Sequence, residues 1–308
     1  MKAKKIMAVL SVTTALLFLT GCNIMNSWRL NVEKGDKYNF HEVVDQDAAL
    51  IIDELEDHAI TVKDMNLTME IQDVDKDKNV TIAYKYDSIK VSTGNSEKMR
   101  EYDSKKPDPS DSLADIYGGV VGKGFTVKVS NKGQVLEIKG ANELVSSLIG
   151  KVPPANQTNP LKGAIKQSFG EDAVKSMVNQ SMNYNPSNKV KTNDTWESKY
   201  SIAALCPMES NNKFKFLGEK DGLLNVDVQS TVAADTKGKQ VQFMEFKSDV
   251  KLKGNGKGTI NINKKTGLIE KGDFKENMSG DMEFTLGSKS KRWPVEISQK
   301  ITYETTKK

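Results

Sequence analysis

Hydrophobic and polar residues alternate over two long stretches of the chain. Met65, Leu67, Met69 and Ile71 take every second position, and after an Asp/Lys-rich turn Val80, Ile82, Tyr84 and Tyr86 do the same. A period of two places one set of side chains on one face, so residues 37–91 read as antiparallel strands with one apolar and one wet side. The second stretch starts at Trp196 and carries Phe214/Phe216, Leu224/Val226/Val228, Val241/Phe243, Ile260/Ile262, Met282/Phe284/Leu286 and Val295/Ile297. Residues 44–60 fit either a short helix or a continuing strand.

Between the two stretches the period lengthens. Leu113, Ile116, Tyr117, Val120 and Val121 fall on one helical face behind an Asp108–Pro109 start signal. Phe125, Val127 and Val129 lead into an Asn131-Lys132-Gly133 turn and a returning strand, which predicts a hairpin. Asn142 opens a short helix that ends at Gly150, residues 151–160 read as loop, and Leu161 to Met182 is helical again. Ser168 and Glu171 have capping-box spacing, which predicts a fresh start near Gly170.

The first 22 residues carry a different pattern. Lys2, Lys4 and Lys5 precede an apolar run from Ile6 to Leu19, followed by Thr20-Gly21-Cys22. The run is shorter than the roughly 20 residues a span needs, and the basic–apolar–small order is that of an export signal. Its ending resembles the lipobox of bacterial lipoproteins. That resemblance implies cleavage before Cys22, a diacylglyceryl thioether on its sulfur, and stable anchoring by two or three acyl chains.

Gly122–Gly133 aligns without a gap on Gly256–Gly267, and Lys34–Tyr38 more loosely on Thr192–Trp196. This predicts two related β-rich halves.

Composition narrows the chemistry. The chain has 308 residues, a net charge of +4, two Cys and two His. Losing residues 1–21 removes three lysines and leaves the remainder near neutral, so no basic stripe points to nucleic acid and charge does not supply the membrane anchor. With Cys22 acylated, Cys206 has no partner and no local base, and reads as a buried small hydrophobe. Asp73, Asp75, Asp77 and Asn79 alternate like a calcium loop but lack its Gly and its final Glu, so a solvated turn is expected. Gly118–Gly124 precedes a strand rather than a helix and does not form a phosphate loop. His41 and His58 lie near carboxylates, but no nucleophile accompanies them.

The order of these features resembles an uncharacterised family of bacterial lipoproteins, known only as a domain of unknown function. The lipobox, Gly35-Asp36, Tyr102-Asp103-Ser104, Gly124-Phe125-Thr126 to Gly133, and Lys191-Thr192-Asn193-Asp194-Thr195-Trp196 carry the resemblance over residues 30–305. Asn193 stands where that pattern expects Gly. The family has no established activity, so the resemblance implies no site residues.

The expected fold is α+β and mostly antiparallel, with two related sheet halves joined and covered by a helical connector. The expected division is a signal peptide (1–21), a lipidated tether (22–34), a first half (35–150), the connector (151–188) and a second half (189–308). The expected function is that of a non-enzymatic lipoprotein, held through Cys22 on the outer face of the bacterial cell membrane or in the outer membrane, that binds a hydrophobic or envelope ligand. The alternative is a structural or interaction lipoprotein with a filled core. Phe125, Val127, Phe169, Met177 and Phe243 are the candidate lining of a lipid site. No catalytic residue, metal, cofactor or nucleic-acid partner is expected.

Overall fold

A computed structural model describes residues 28–308 apart from 53–54, 155–158, 204–205, 238–240, 244–245 and 287–288. The export signal and Cys22 lie outside the described residues. The elements in order are β1 (Lys37–Ile52), β2 (Leu55–Val74), β3 (Val80–Gly94), β4 (Met99–Asp103), α1 (Ala114–Tyr117), β5 (Gly124–Val129), β6 (Val135–Lys139), α2 (Ala141–Ile149), α3 (Asn159–Phe169), α4 (Glu171–Met182), β7 (Thr195–Ala203), β8 (Pro207–Lys220), β9 (Leu223–Asp235), β10 (Val241–Phe243), β11 (Phe246–Asn263), β12 (Ile269–Leu286) and β13 (Lys289–Lys307).

All thirteen strands belong to one antiparallel sheet, ordered β6-β5-β3-β2-β1-β13-β12-β11-β9-β8-β7, with β4 on β3 and β10 on β11. This corrects the expectation of α+β with two sheet halves under a helical connector. The closing strand β13 zips onto β1 from Tyr38↔Lys307 to Leu50↔Val295, fusing what would have been two halves. The segment left open between strand and helix is therefore strand: β1 runs to Ile52 and β2 starts at Leu55.

The helices do not cover two sheet halves: they pack on one part of the inner face, where Phe169 of α3 meets Tyr86 of β3 and Met182 of α4 meets Tyr84. The helix α4 packs against both β6 and β7, the strands at opposite edges of the sheet, so the sheet curls and the helices fill the gap between its edges. Covering edges in this way removes the hazard of unpaired strand backbone. The helix expected over 113–121 shrinks to the four residues of α1, because Gly118 and Gly119 follow at once. Asp108 caps a turn instead, with Oδ1 accepting from the Ser110 backbone N–H at 2.9 Å. Gly140, not Asn142, precedes α2, in the left-handed region at φ 84°.

Residues 28–33, within the expected tether, form a strap across one end of the sheet. The Leu30 N–H donates to Asn131 O at 2.9 Å and the Asn31 N–H to Thr266 O at 2.8 Å, clipping the β5–β6 turn to the β11–β12 turn. These two turns are the segments that resembled each other in sequence, yet one sits at the sheet's edge and the other in its interior. Asn193 adopts φ 73°, a left-handed conformation that Asn tolerates, which accounts for its use where Gly is expected.

Candidate functional site

The concave face of the curled sheet holds two apolar clusters. The proximal cluster, at the end of the strap, unites Trp28, Leu30, the inward residues of β2, β3 and β5, and the helices. The distal cluster contains Ile202, Cys206, Met208, Val232, Val250, Leu252, Met278, Met282, Phe284, Val295 and Ile297, with Trp293 packed against it. No helical residue takes part in the distal cluster among the described residues, so sheet walls close it on themselves.

A transverse polar row separates the clusters. Cross-strand register places Ser198, Asn212, Ser230, Gly256, Glu276, Gln299, Gln46, Thr61 and Thr93 directly opposite one another on successive strands from β7 to β3. Glu276 anchors it, accepting from Ser230 Oγ at 3.0 Å and from Gln299 Nε2 at 2.6 Å. Gly256 makes the first contact possible, since a Cβ there would stand 2.2 Å from Ser230 Oγ and 2.5 Å from Glu276 Cγ. The hydroxyl of Tyr200 bonds to Ser210 and Asn212 at the edge of the row, and burial raises its pKa. The row is thus mostly satisfied within the fold, as buried polar groups must be.

Two polar atoms beyond the row are not satisfied. Ser248 Oγ and Trp293 Nε1 are buried in the distal region without a hydrogen-bond partner among the described residues. Ser248 pairs in register with Phe284, whose ring lies 4.9 Å from that of Trp293, so both donors border one aromatic patch. Lys291 Nζ lies 5.4 Å from the Trp293 ring centroid. At the proximal end Trp28 Nε1 and Asn185 Oδ1 are likewise unpaired.

Glu42 is buried one strand position from the proximal core, opposite Tyr303 and Met65. Loss of water pushes its carboxyl up to about 7, and Lys63 offsets this only in part.

The residues expected to line a lipid site fall in two places. Phe125, Val127 and Phe169 are buried in the proximal cluster, where Tyr86 meets Phe125 at 6.1 Å and Phe169 at 5.6 Å between ring centroids. Met177 is half-buried against the same cluster. Phe243 lies on β10, beside Phe246 of β11, and its side chain is outside the described residues. Sequence reasoning missed Ser248, Trp293 and the distal methionines. The available signal was the interruption of apolar alternation along β11, at Gly254, Gly256 and Gly258, and by Ser230 and Glu276 on its neighbouring strands.

The remaining candidates are occupied locally. Asp75 accepts from the Asp77 and Asn79 backbone at 2.9 Å each and pairs with Lys128 at 2.8 Å, and these bonds hold its carboxyl well below the usual range. His41 meets Asp64 at 2.9 Å, and His58 meets Asp47 at 2.9 Å and Glu56 at 3.3 Å. Cys206 is buried, which pushes its thiol up to about 11.

Residues 77–269 match the model described as a family of unknown function (DUF6263). No curated protein matches the chain. A solved structure described as lipid-protein interactions in lipovitellin is 11% identical with a TM-score of 0.44, covering 87% of this chain and 25% of that one. The chain therefore spans about a quarter of that protein's length. An outer membrane channel from Pseudomonas putida F1 is 6% identical with a TM-score of 0.22, covering 90% of this chain and 98% of that one. OmpF of Salmonella typhi, in complex with daunomycin, is 6% identical with a TM-score of 0.20, covering 90% and 100%. At these values none of the three bears on function.

Proposed function

Because this chain belongs to DUF6263, a family of unknown function, its role must be read from its own residues, and we propose that it is an exported, lipid-anchored envelope protein that holds a hydrophobic ligand in the distal compartment. The observation that carries this reading is the pair of unpartnered donors, Ser248 Oγ and Trp293 Nε1, in an apolar cluster that no described helix covers. An unpaired buried donor costs about 1–3 kcal/mol, which a ligand oxygen would recover. Met208, Met278 and Met282 supply adaptable side chains that can repack around an acyl chain. The ligand class is thus an acyl chain with an oxygen acceptor at its head.

The anchor rests on Leu19-Thr20-Gly21-Cys22. Only five residues separate Cys22 from buried Trp28, a reach of at most about 20 Å. Acylation at Cys22 would hold the proximal end against the bilayer and point the distal compartment away from it. The role proposed is binding, and the two histidines are engaged by carboxylates.

A second reading is favoured by the packing around Phe125 and Phe169. If the distal cluster is as permanently filled as the proximal one, the chain is an interaction scaffold. Native mass spectrometry of residues 23–308, purified without detergent and exposed to envelope lipid extract, separates the two. A bound acyl lipid at one per chain, weakened by Met282→Trp, supports the carrier. A ligand-free spectrum after every extract leaves the scaffold.

A further inference from the structure

On the convex face, opposite the site just described, one register level carries a run of lysines. Lys257, Lys275 and Lys300 stand directly opposite one another on β11, β12 and β13, and Lys213 joins the same level through Gln229. Like charges directly opposed across strands destabilise a sheet. Some exposed lysines elsewhere are matched, as in Lys199–Glu209 at 3.3 Å and Lys90–Glu101 at 3.1 Å, but directly opposed lysines on three successive strands are what sets this level apart. Along this run Lys300 has Asp273 at 3.4 Å, whereas Lys213, Lys257 and Lys275 form no ion pair among the described residues. Glu197 and Asp45 bound the row at its two ends.

The next level of the same face is uncharged and rich in hydrogen-bonding groups: Asn211, Thr231, Asn255, Asn277 and Ser298 sit in register across the same strands. Part of both levels lines a groove of about 660 Å³. With strands about 4.8 Å apart, the cationic run extends about 20 Å and presents point charges one or two strands apart. We propose that this strip binds a linear phosphodiester polymer of polyols, such as the anionic glycopolymers of a cell envelope. Lysines suit single-charge phosphates, whereas bidentate carboxylate recognition favours Arg, which the strip lacks. The adjacent amides and hydroxyls match polyol hydroxyls. No aromatic ring stands on either level to stack a base, which disfavours single-stranded nucleic acid. The envelope location rests on the export reading of residues 1–22, but the chemistry of the strip does not.

The test uses the full chain in detergent micelles and titrates poly(glycerol phosphate), with oligothymidylate of equal charge as the comparison. Expected is binding whose log K falls with log salt with a slope of about −2 to −3, as for three or four neutralised phosphates. Lys257→Gln with Lys275→Gln should weaken it about tenfold or more, without lowering the melting temperature. Lys90→Gln with Lys139→Gln removes as much charge from paired lysines on β3 and β6, away from the strip, and should leave the affinity unchanged. The proposal is overturned if the wild type fails to bind the polymer at low salt, if both double variants lose affinity alike, or if oligothymidylate binds as tightly.

Discussion

Glu276 lies across the bare backbone of Gly256 and accepts a hydrogen bond at 3.0 Å from Ser230, two strands away. The contact needs the missing side chain. Gly256→Ala gains about 0.5–1 kcal/mol from reduced backbone freedom. It forces Ser230 and Glu276 apart, an overpacking cost of about 1–3 kcal/mol with a broken buried bond added. The denaturant midpoint should fall. Gly163 of α3 has nothing within 4 Å of an added Cβ, and Gly163→Ala should raise the midpoint, through a stability gain of up to about 1 kcal/mol. Equal effects at the two sites would mean that Glu276 does not need Gly256.

Glu42 sets a pH dependence whose sign can be worked out. Its carboxyl is raised from 4.5 to about 7 by burial, with Lys63 acting against this and the hydroxyls of Tyr86 and Tyr303 nearby. Below about pH 4.5 it is neutral in both folded and unfolded chains and contributes nothing. Between there and about pH 7 the unfolded chain loses its proton while the folded one keeps it, so stability falls as pH rises. The loss levels off at about 3 kcal/mol. Glu42→Gln should flatten this part of the urea-midpoint profile and make the protein more stable than wild type at pH 8. A parallel profile in the variant would show that Glu42 ionises freely.

Cys206 belongs to the distal cluster, and its thiol is raised to about 11 by burial. Iodoacetamide at pH 8 should label it only after denaturation. Fast labelling of the native chain would mean that the distal walls open far more often than a closed cluster allows.

Trp28 meets Trp196 at 4.9 Å and Phe216 at 5.0 Å, edge to face in both cases. Trp28→Ala should cost about 3–5 kcal/mol by deleting an aromatic knot of the proximal core. Cys22→Ala should leave folding intact and abolish incorporation of labelled palmitate. Continued labelling of Cys22→Ala would refute the anchor.

The sequence showed which residues face inward more readily than which strands are neighbours. Period-two alternation marks a face, so β2 and β3 were legible from Met65 to Tyr86. Alternation does not name a partner, and the pairing of β13 with β1 leaves no local trace. The helices α2, α3 and α4 were visible from their spacing, whereas their place between β6 and β7 depends on the curl of the whole sheet. The strap at Trp28 was hidden because Trp28, Leu30 and Val32 are too few to set a period. At the site, apolar residues such as Phe169 stood out by type, yet they are packed core. Ser248 and Glu276 gain their character only when register aligns them across strands.

The central claim is that an acyl ligand enters the distal cluster beside Trp293. Quenching of tryptophan fluorescence by a brominated fatty acid tests it most directly, because Trp28 and Trp196 lie in the other cluster. The ligand should quench the wild type saturably, and Trp293→Phe, shown by native mass spectrometry still to bind it, should lose that quenched component. No saturable quenching, or the same quenching in Trp293→Phe, would contradict a ligand in the distal compartment.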